Sequence, residues 1–416
     1  MTHAAAAPRP RPFDVAGARA DFPVLARTVH GHALAYLDNG ASAQRPRAVI
    51  EAVDDYERHH HANIHRGVHT LSQEATALFE GARDRVARFI HARSRNEVLF
   101  VRGTTEAINL VAQSWARPRL VAGDEILITH LEHHANIVPW QMVCEQTGAR
   151  LVVAPIDASG EVHAEAVEAL MGPRTRLLAC AHVSNALGTV LPVRRLVASA
   201  RARGIATLLD GAQAIPHLDV DVQELGCDFY VFSGHKVFAP TGIGVLWGRE
   251  SLLEAMPPWQ GGGDMILRVS FAGTTYNSLP HKFEAGTPNI SGAIGLGAAI
   301  DYLAGLDTAA LQAHEHDLLL HATAVLGAVD GLRIVGTARD KASLVSFVVA
   351  GVHPHDLGTI VDQDGIAIRT GHHCAMPVME FFGLPATARA SFAFYNTFEE
   401  IDRLGASVRR ARAMFG

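Results

Sequence analysis

The chain has 416 residues, 48% of them hydrophobic and 19% charged, with a formal net charge of −6. That length supports a large core and two or three domains, and with no concentrated basic run a nucleic-acid partner is not expected. No apolar stretch reaches membrane-spanning length, since Ile290 to Leu306 is interrupted by glycines and Asp301; no membrane partner is expected, and a soluble enzyme is the default class.

The first twelve residues, MTHAAAAPRPRP, lack an apolar h-region and are expected to form a short disordered arm rather than a secretory signal. Four scattered cysteines, Cys144, Cys180, Cys227 and Cys374, contain no CxxC pair. Neither a disulfide framework nor a cysteine-rich zinc site follows, and a reducing cytoplasm fits. Further on stand His59-His60-His61 and His65-Arg66-Gly67-Val68-His69. His65 and His69 are spaced i, i+4, which suits two ligands on one helix face. With no Glu or Cys at a matching spacing, a loop of hydrogen-bonding histidines is expected there and no metal.

From about Glu97 to Trp247 short apolar runs alternate with helix-length segments such as Thr105–Trp115 and Val193–Arg203. The runs are Val98–Val101, Glu125–Thr129, Arg150–Ile156, Arg176–His182, Ile205–Asp210 and Phe229–Ser233, with Gly242–Gly248 as a further strand. Runs apolar on both faces predict the parallel sheet of a doubly wound α/β domain. Ligands in such sheets bind outside the carboxyl ends of the strands, and those ends are polar: Gly103-Thr104-Thr105, His130 to His134, Ser184-Asn185, Asp210-Gly211-Ala212-Gln213 and Ser233-Gly234-His235-Lys236.

Gly103-Thr104-Thr105 opens a helix whose free N–H groups favour an anion such as phosphate, with Ser233 and His235 as donors beside it. Lys236 can form a Schiff base with an aldehyde, Asp210 can pair with a protonated ring nitrogen, and His133 can stack on a ring face. Each feature has an ordinary alternative: a helix cap for Asp210, a solvated charge for Lys236, a helix start for GTTE. Together, in this order on successive strands, they point to pyridoxal 5'-phosphate.

Beyond Leu306 the pattern becomes α+β: a helix over Thr308–Val329, a strand over Leu344–Val349, a helix over Asp356–Gln363, a short strand Ile366–Arg369, then Arg389–Phe394. A last helix opens at Thr397 with Glu400 spaced as a capping box. Between the last two strands lies Arg369-Thr370-Gly371-His372-His373-Cys374. A free cysteine is usually a small buried hydrophobe, but here it sits on a loop beside His and Arg, which favour the nucleophilic thiolate. His-His-Cys is short of the four partners a zinc site needs. Arg389 is a candidate clamp for a substrate carboxylate.

Taken together, the segments AYLDNGASAQRP, NIHRGVHTLSQEAT, RGTTEAINLVAQSW, LEHHANIVPWQ, HVSNALGTV, DGAQA, FSGHKVFAPTGIG, GGGDMI, FEAGTPN, RTGHHCAMP and RASFAFYNT resemble the SufS-type (group II) cysteine desulfurases and selenocysteine lyases of the aminotransferase class V family, along nearly the whole chain. The resemblance implies the fold type I architecture of pyridoxal-phosphate-dependent transferases: a mostly parallel seven-stranded sheet with a smaller α+β domain. On that pattern residues 1–30 form an arm joining the small domain, 31–305 the large domain, and 306–416 the small domain carrying the cysteine loop.

It also implies a cytoplasmic homodimer that converts L-cysteine to L-alanine and leaves a persulfide on Cys374. That sulfur passes to a SufE-like or zinc-containing SufU-like acceptor for iron–sulfur cluster assembly. Carried over by motif, Lys236, Cys374 and His133 are catalytic, and Thr104, Thr105, Ser233 and His235 hold the phosphate. Asp210 meets the pyridine nitrogen, Gln213 the ring hydroxyl, and Thr287 reaches the partner's cofactor phosphate. Asn185, Arg389 and Arg369 contact the substrate. Gly40-Ala41-Ser42-Ala43 departs from the family's AATT-like segment, and His355 is expected near the acceptor site. Selenocysteine lyase is the nearest alternative. More distant are an aminotransferase of the same fold and a histidine-rich metal-binding protein.

Overall fold

A computed structural model describes residues 12–415; the disordered arm expected over the first twelve residues falls almost wholly outside them. The apolar runs form one seven-stranded sheet. Its order is Val98–Val101, Gly244–Gly248, Phe229–Ser233, Ala206–Asp210, Thr175–Ala181, Glu125–Thr129 and Arg150–Ala154. Neighbours pair in parallel except at Gly244–Gly248, which runs antiparallel to both strands beside it.

Side chains alternate between two cores, as the period of two requires. Phe100, Leu127, Leu178, Leu209 and Phe232 enter one; Leu99, Ile126, Ile128, Leu208 and Val231 enter the other. Both faces are therefore buried, which explains runs that are apolar throughout. A side chain at Gly244 would place its Cβ 2.5 Å from the Gly103 Cα. Only glycine there lets the backbone after the first strand lie against its neighbour.

The second part of the chain builds a four-stranded antiparallel sheet in the order Leu332–Val335, Leu344–Val349, Thr387–Ser391, Arg369–Gly371. Helices Thr308–Gly327, Pro354–Asp362 and Phe398–Met414 cover it, with Leu318, Val345, Phe347 and Leu404 in its core. Thr397 and Glu400 form the expected capping box. The strand expected over Ile366–Arg369 divides: Ile366–Ala367 pairs in parallel with Ala35–Tyr36, and Arg369–Gly371 joins the small sheet. The strand expected over Arg389–Phe394 runs instead over Thr387–Ser391, whose buried Thr, Arg and Ser leave no apolar signal in the sequence.

An aromatic cluster ties the two sheets together around the future site. Phe22 contacts Phe238, Phe394 and Tyr395, and the Phe238 and Phe394 rings lie 4.9 Å apart. Phe238 follows the Lys236 turn and Phe394 follows the Arg389 strand, so packing fixes one against the other. Such ring pairs add about 0.5–1.5 kcal/mol each beyond simple burial. Among the described residues no single helix is long and apolar enough to cross a membrane; Ile290–Ala304 and Thr308–Gly327 pass only as a pair bent by 90°.

Candidate active site

One cavity at the carboxyl edge of the large sheet is lined by Thr104, Thr105, His133, Asn185, Asp210, Gln213, Ser233, His235, Lys236, Arg369, Cys374 and Arg389. Every proposed cofactor and substrate residue except Thr287 is among them. They come from five strand ends of the large sheet and from the small sheet.

At one end, the Thr104 N–H donates to Ser233 Oγ at 2.9 Å, and the two hydroxyls lie 2.8 Å apart. This pins the helical run beginning at Thr104 against the strand that leads to Lys236. Burial, then the Lys236 charge, pushes the His235 pKa down to about 4.

Lys236 ends a single turn directly after Phe229–Ser233. Burial lowers its pKa to about 8, against the opposing pull of Asp210. Asp210 is itself buried, accepts the Ala212 N–H at 2.9 Å, and has its pKa raised by burial. His133 Nδ1 accepts the Ala135 N–H at 3.0 Å, so the ring proton belongs on Nε2. Burial and Lys236 push its pKa down to about 4, leaving a neutral imidazole at pH 7. Gln213 Nε2 donates to the Gly40 carbonyl at 2.7 Å.

At the other end, Arg389 is 2% exposed. Its Nη1 donates to the Asn185 carbonyl at 2.7 Å, its Nη2 to Asp38 Oδ1 at 3.4 Å, and its buried Nε has no partner among the described residues. Asp38 also faces Arg369 at 3.8 Å. Burial raises the Asp38 pKa, opposed by the two arginines. Two guanidinium groups thus share one carboxylate, which leaves positive charge for an incoming anion.

Cys374 shares this cavity although it lies 138 positions from Lys236 in the sequence. His373 and Cys374 both adopt left-handed backbone, at φ 52° and 54°, a costly conformation for residues with a Cβ. The surroundings hold it. The His134 N–H donates to the Cys374 carbonyl at 2.8 Å, and the Asn185 side-chain amide donates to the His373 carbonyl at 2.5 Å. The Met376 N–H donates to His134 Nε2 at 3.0 Å, and the Cys374 N–H to His372 Nδ1 at 3.2 Å.

Sequence reading missed three of these contributors. Asp38 stands in a quoted motif but gained meaning only once two arginines converged on it. His134 was one histidine in a run of two. Glu132 is buried behind them, bonded to Thr129 and Asn136, with its pKa raised to about 7 by burial. In the departing segment, Gly40 and Ala41 form cavity wall, and a Cβ on Gly40 would meet the Arg389 guanidinium at 3.3 Å.

Thr287 lies outside the cavity, in a neighbouring one with Arg102, Glu106, Gly242 and Trp259. The helix pairing of His65 and His69 does not occur. His65 precedes the helix in left-handed backbone at φ 70°, and His69 caps the Thr70–Phe89 helix by accepting the Ser72 N–H. His65 instead meets Glu80 at 3.0 Å, with His281 nearby; Glu80 is also bonded to Arg83. His355 is exposed at the start of the Pro354–Asp362 helix.

A lysine, a buried carboxylate and a neutral histidine at the carboxyl edge of such a sheet define an α/β enzyme of the aminotransferase kind. The chain belongs to the aminotransferase class-V family, whose model matches residues 35–404. It is 51% identical over 398 residues to a cysteine desulfurase of Synechococcus elongatus, covering 96% of this chain and 64% of that protein, so it spans a little under two thirds of that relative. It is 52% identical over 405 residues to a cysteine desulfurase of Enterobacter sp. strain 638, covering 97% of this chain and all of that one. The crystal structure of the cysteine desulfurase CsdA (S-sulfonic acid) from Escherichia coli superposes with a TM-score of 0.91 at 43% identity, over 98% of this chain and all of that one. The fold is that of the pyridoxal-phosphate-dependent transferases expected from the sequence.

Proposed function

We propose that this protein is a cysteine desulfurase that uses pyridoxal phosphate, converts L-cysteine to L-alanine and receives the sulfur on Cys374. The observation that carries this reading is the single cavity holding Lys236, Asp210, Arg389 and Cys374. Relatives with the same name and matching length support it.

The residues fit the cofactor. A lysine with a depressed pKa suits an aldehyde, and a buried carboxylate with a raised pKa and, among the described residues, no arginine partner suits a ring N–H. The neutral His133 suits a ring face, and the hydroxyls and helix start around Thr104, Thr105, Ser233 and His235 suit a phosphate. Gln213 is assigned the ring hydroxyl. When bound, the cofactor supplies an electron sink for the substrate's α-carbon.

The chain's own residues do the rest. Arg389, with Asn185 and Arg369, binds the substrate carboxylate and orients the molecule. Lys236 Nζ, its pKa brought to about 8 by burial, takes the α-proton and returns it to the departing carbon skeleton, whose second proton comes from the substrate's own thiol. Cys374 Sγ, as thiolate, attacks the substrate sulfur; an S–S bond forms, the Cβ–S bond breaks, and alanine leaves.

In this reading residues 31–305 form the cofactor domain, and 306–416 with the arm of 1–30 form the small domain. The protein works as a cytoplasmic homodimer in which Thr287 reaches the partner's site; the exposed Leu267, Val269 and Phe271 of the hairpin Ile266–Tyr276 support a partner there. A SufE-like or SufU-like protein accepts the sulfur for iron–sulfur cluster assembly, with His355 near its docking surface. The test is mass spectrometry after exposure to L-cysteine. A sulfur adduct on Cys374, equal in amount to the alanine released in the first turnover, is expected; alanine without the adduct overturns the assignment.

A further inference from the structure

The chain contains only three lysines, Lys236, Lys282 and Lys341, among 36 basic residues. Lys236 belongs to the site above. Lys282 donates to the carbonyls of Leu253 and Glu254 at 3.2 and 2.9 Å, closing the end of the Glu250–Ala255 helix, and sits over the Phe283 ring. Lys341 has no such setting. It lies where the loop after Leu332–Val335 meets the large sheet: the Val190 N–H donates to the Asp340 carbonyl, and Thr189 bridges to Lys341.

The Lys341 Nζ has one acceptor, the Gly336 carbonyl at 2.5 Å, and among the described residues it makes no ion pair. An ammonium carries three donors. Two are therefore left without protein acceptors in a half-buried place, which disfavours the charged form. The amine lines a cavity of about 520 Å³ whose apolar wall includes Val162, Leu191, Leu319 and Ile334. Glu161, His316, Arg339 and Asp340 also line it, the last three exposed.

We propose that Lys341 is an acyl-acceptor site, taking its acyl group from a small acyl phosphate admitted through this cavity. The Nζ lone pair attacks the acyl carbon and an N–C bond forms. The C–O bond to phosphorus's oxygen breaks, inorganic phosphate leaves with that electron pair, and the surplus amine proton passes to water. Nothing is oxidised or reduced. The product amide has a single N–H, matching the single acceptor at Gly336, and no charge to bury. The apolar wall receives the acyl chain, and Arg339 and His316 offer donors for the phosphoryl oxygens.

Three lysines make the test clean. The holoenzyme is incubated with acetyl phosphate across the neutral to alkaline range, and acetylation of each lysine is followed by peptide mass spectrometry. Lys341 is expected to react roughly tenfold or more faster than Lys282, with a rate that levels off above a pH of about 8. Thr323→Trp, which adds bulk at the cavity from an exposed helix position, is expected to slow Lys341 at least several-fold and leave Lys282 unchanged. Lys341 reacting no faster than Lys282 overturns the proposal, as does equal Lys341 labelling in the Thr323→Trp protein.

Discussion

The backbone N–H of His134 donates to the carbonyl of Cys374 at 2.8 Å, joining the large sheet's cofactor edge to the loop that carries the thiol. The next contact is made by the same residue's side chain, whose Nε2 accepts the Met376 N–H at 3.0 Å. His133 faces the cavity while His134 holds the loop, so adjacent histidines have separate tasks.

That division predicts the effect of His134→Ala. The backbone bond survives, but the Met376 N–H loses its acceptor, a change worth about 0.5–1.5 kcal/mol. Because that energy helps hold two left-handed residues in place, desulfurase kcat should fall by roughly three- to tenfold. Cofactor absorbance should not change, since His133 and Lys236 are untouched. A loss of bound cofactor in this variant would place His134 in the cofactor site instead.

Lys236→Ala and Cys374→Ser should fail differently. The first removes the only amine that lines the cavity among the described residues, so the purified protein should lack the visible absorption of lysine-bound cofactor and show no turnover. The second should keep that absorption and release no sulfide from L-cysteine, because a hydroxyl does not accept sulfur. Spectra and sulfide assays on the same preparations decide the matter, and desulfurase turnover retained by Cys374→Ser would remove the thiol from the reaction.

How far the site could be read from the sequence follows from what holds each part. The cofactor end rests on strand-to-helix junctions, where burial on both faces and polar ends leave a local signature, and Asp210, Ser233 and Lys236 were found there. Asp38 left no such signature. Its role exists because Arg369 and Arg389, more than 300 positions away, approach it across a bridge between Asp38 and Ser391. The small sheet was read less well because its strands are short, and Thr387–Ser391 buries Thr, Arg and Ser without apolar alternation. The hairpin Ile266–Ser270 with Gly273–Tyr276 was missed since its apolar residues point outward, against the usual pattern.

Uptake of pyridoxal phosphate by the cofactor-free protein should follow the Lys236 amine. Only the neutral amine attacks an aldehyde, so the association rate should rise with pH and level off above about 8. Asp210 opposes the depression of the Lys236 pKa, so Asp210→Asn should move that midpoint lower. The stability sign is fixed by linkage. Between about 8 and the ordinary 10.5 the folded chain holds fewer protons on Lys236 than the unfolded chain, so this residue makes stability rise with pH across that window. Its penalty is fully present below about 8. Stopped-flow absorbance over this range measures the midpoint, and a rate independent of pH would show that another step limits uptake.

Arg83 gives a prediction about the scaffold alone. It is fully buried and bonded to Glu284 at 2.6 and 2.9 Å, to Glu80 at 3.0 Å and to the Val98 carbonyl at 2.9 Å. Glu284 also accepts the Phe100 N–H at 2.8 Å. One guanidinium thus fastens the Thr70–Phe89 helix to the first strand of the large sheet and to the segment leading to Thr287. Arg83→Met keeps much of the volume but leaves the Glu284 carboxylate buried without its counter-charge, and removing one partner of such a pair costs about 3–5 kcal/mol. The paired change Arg83→Met with Glu284→Gln removes both charges and should recover part of that loss, because no isolated charge remains. Chemical denaturation of the three proteins provides the comparison. If Arg83→Met and the double variant were equally unstable, packing rather than the stranded carboxylate would account for the loss.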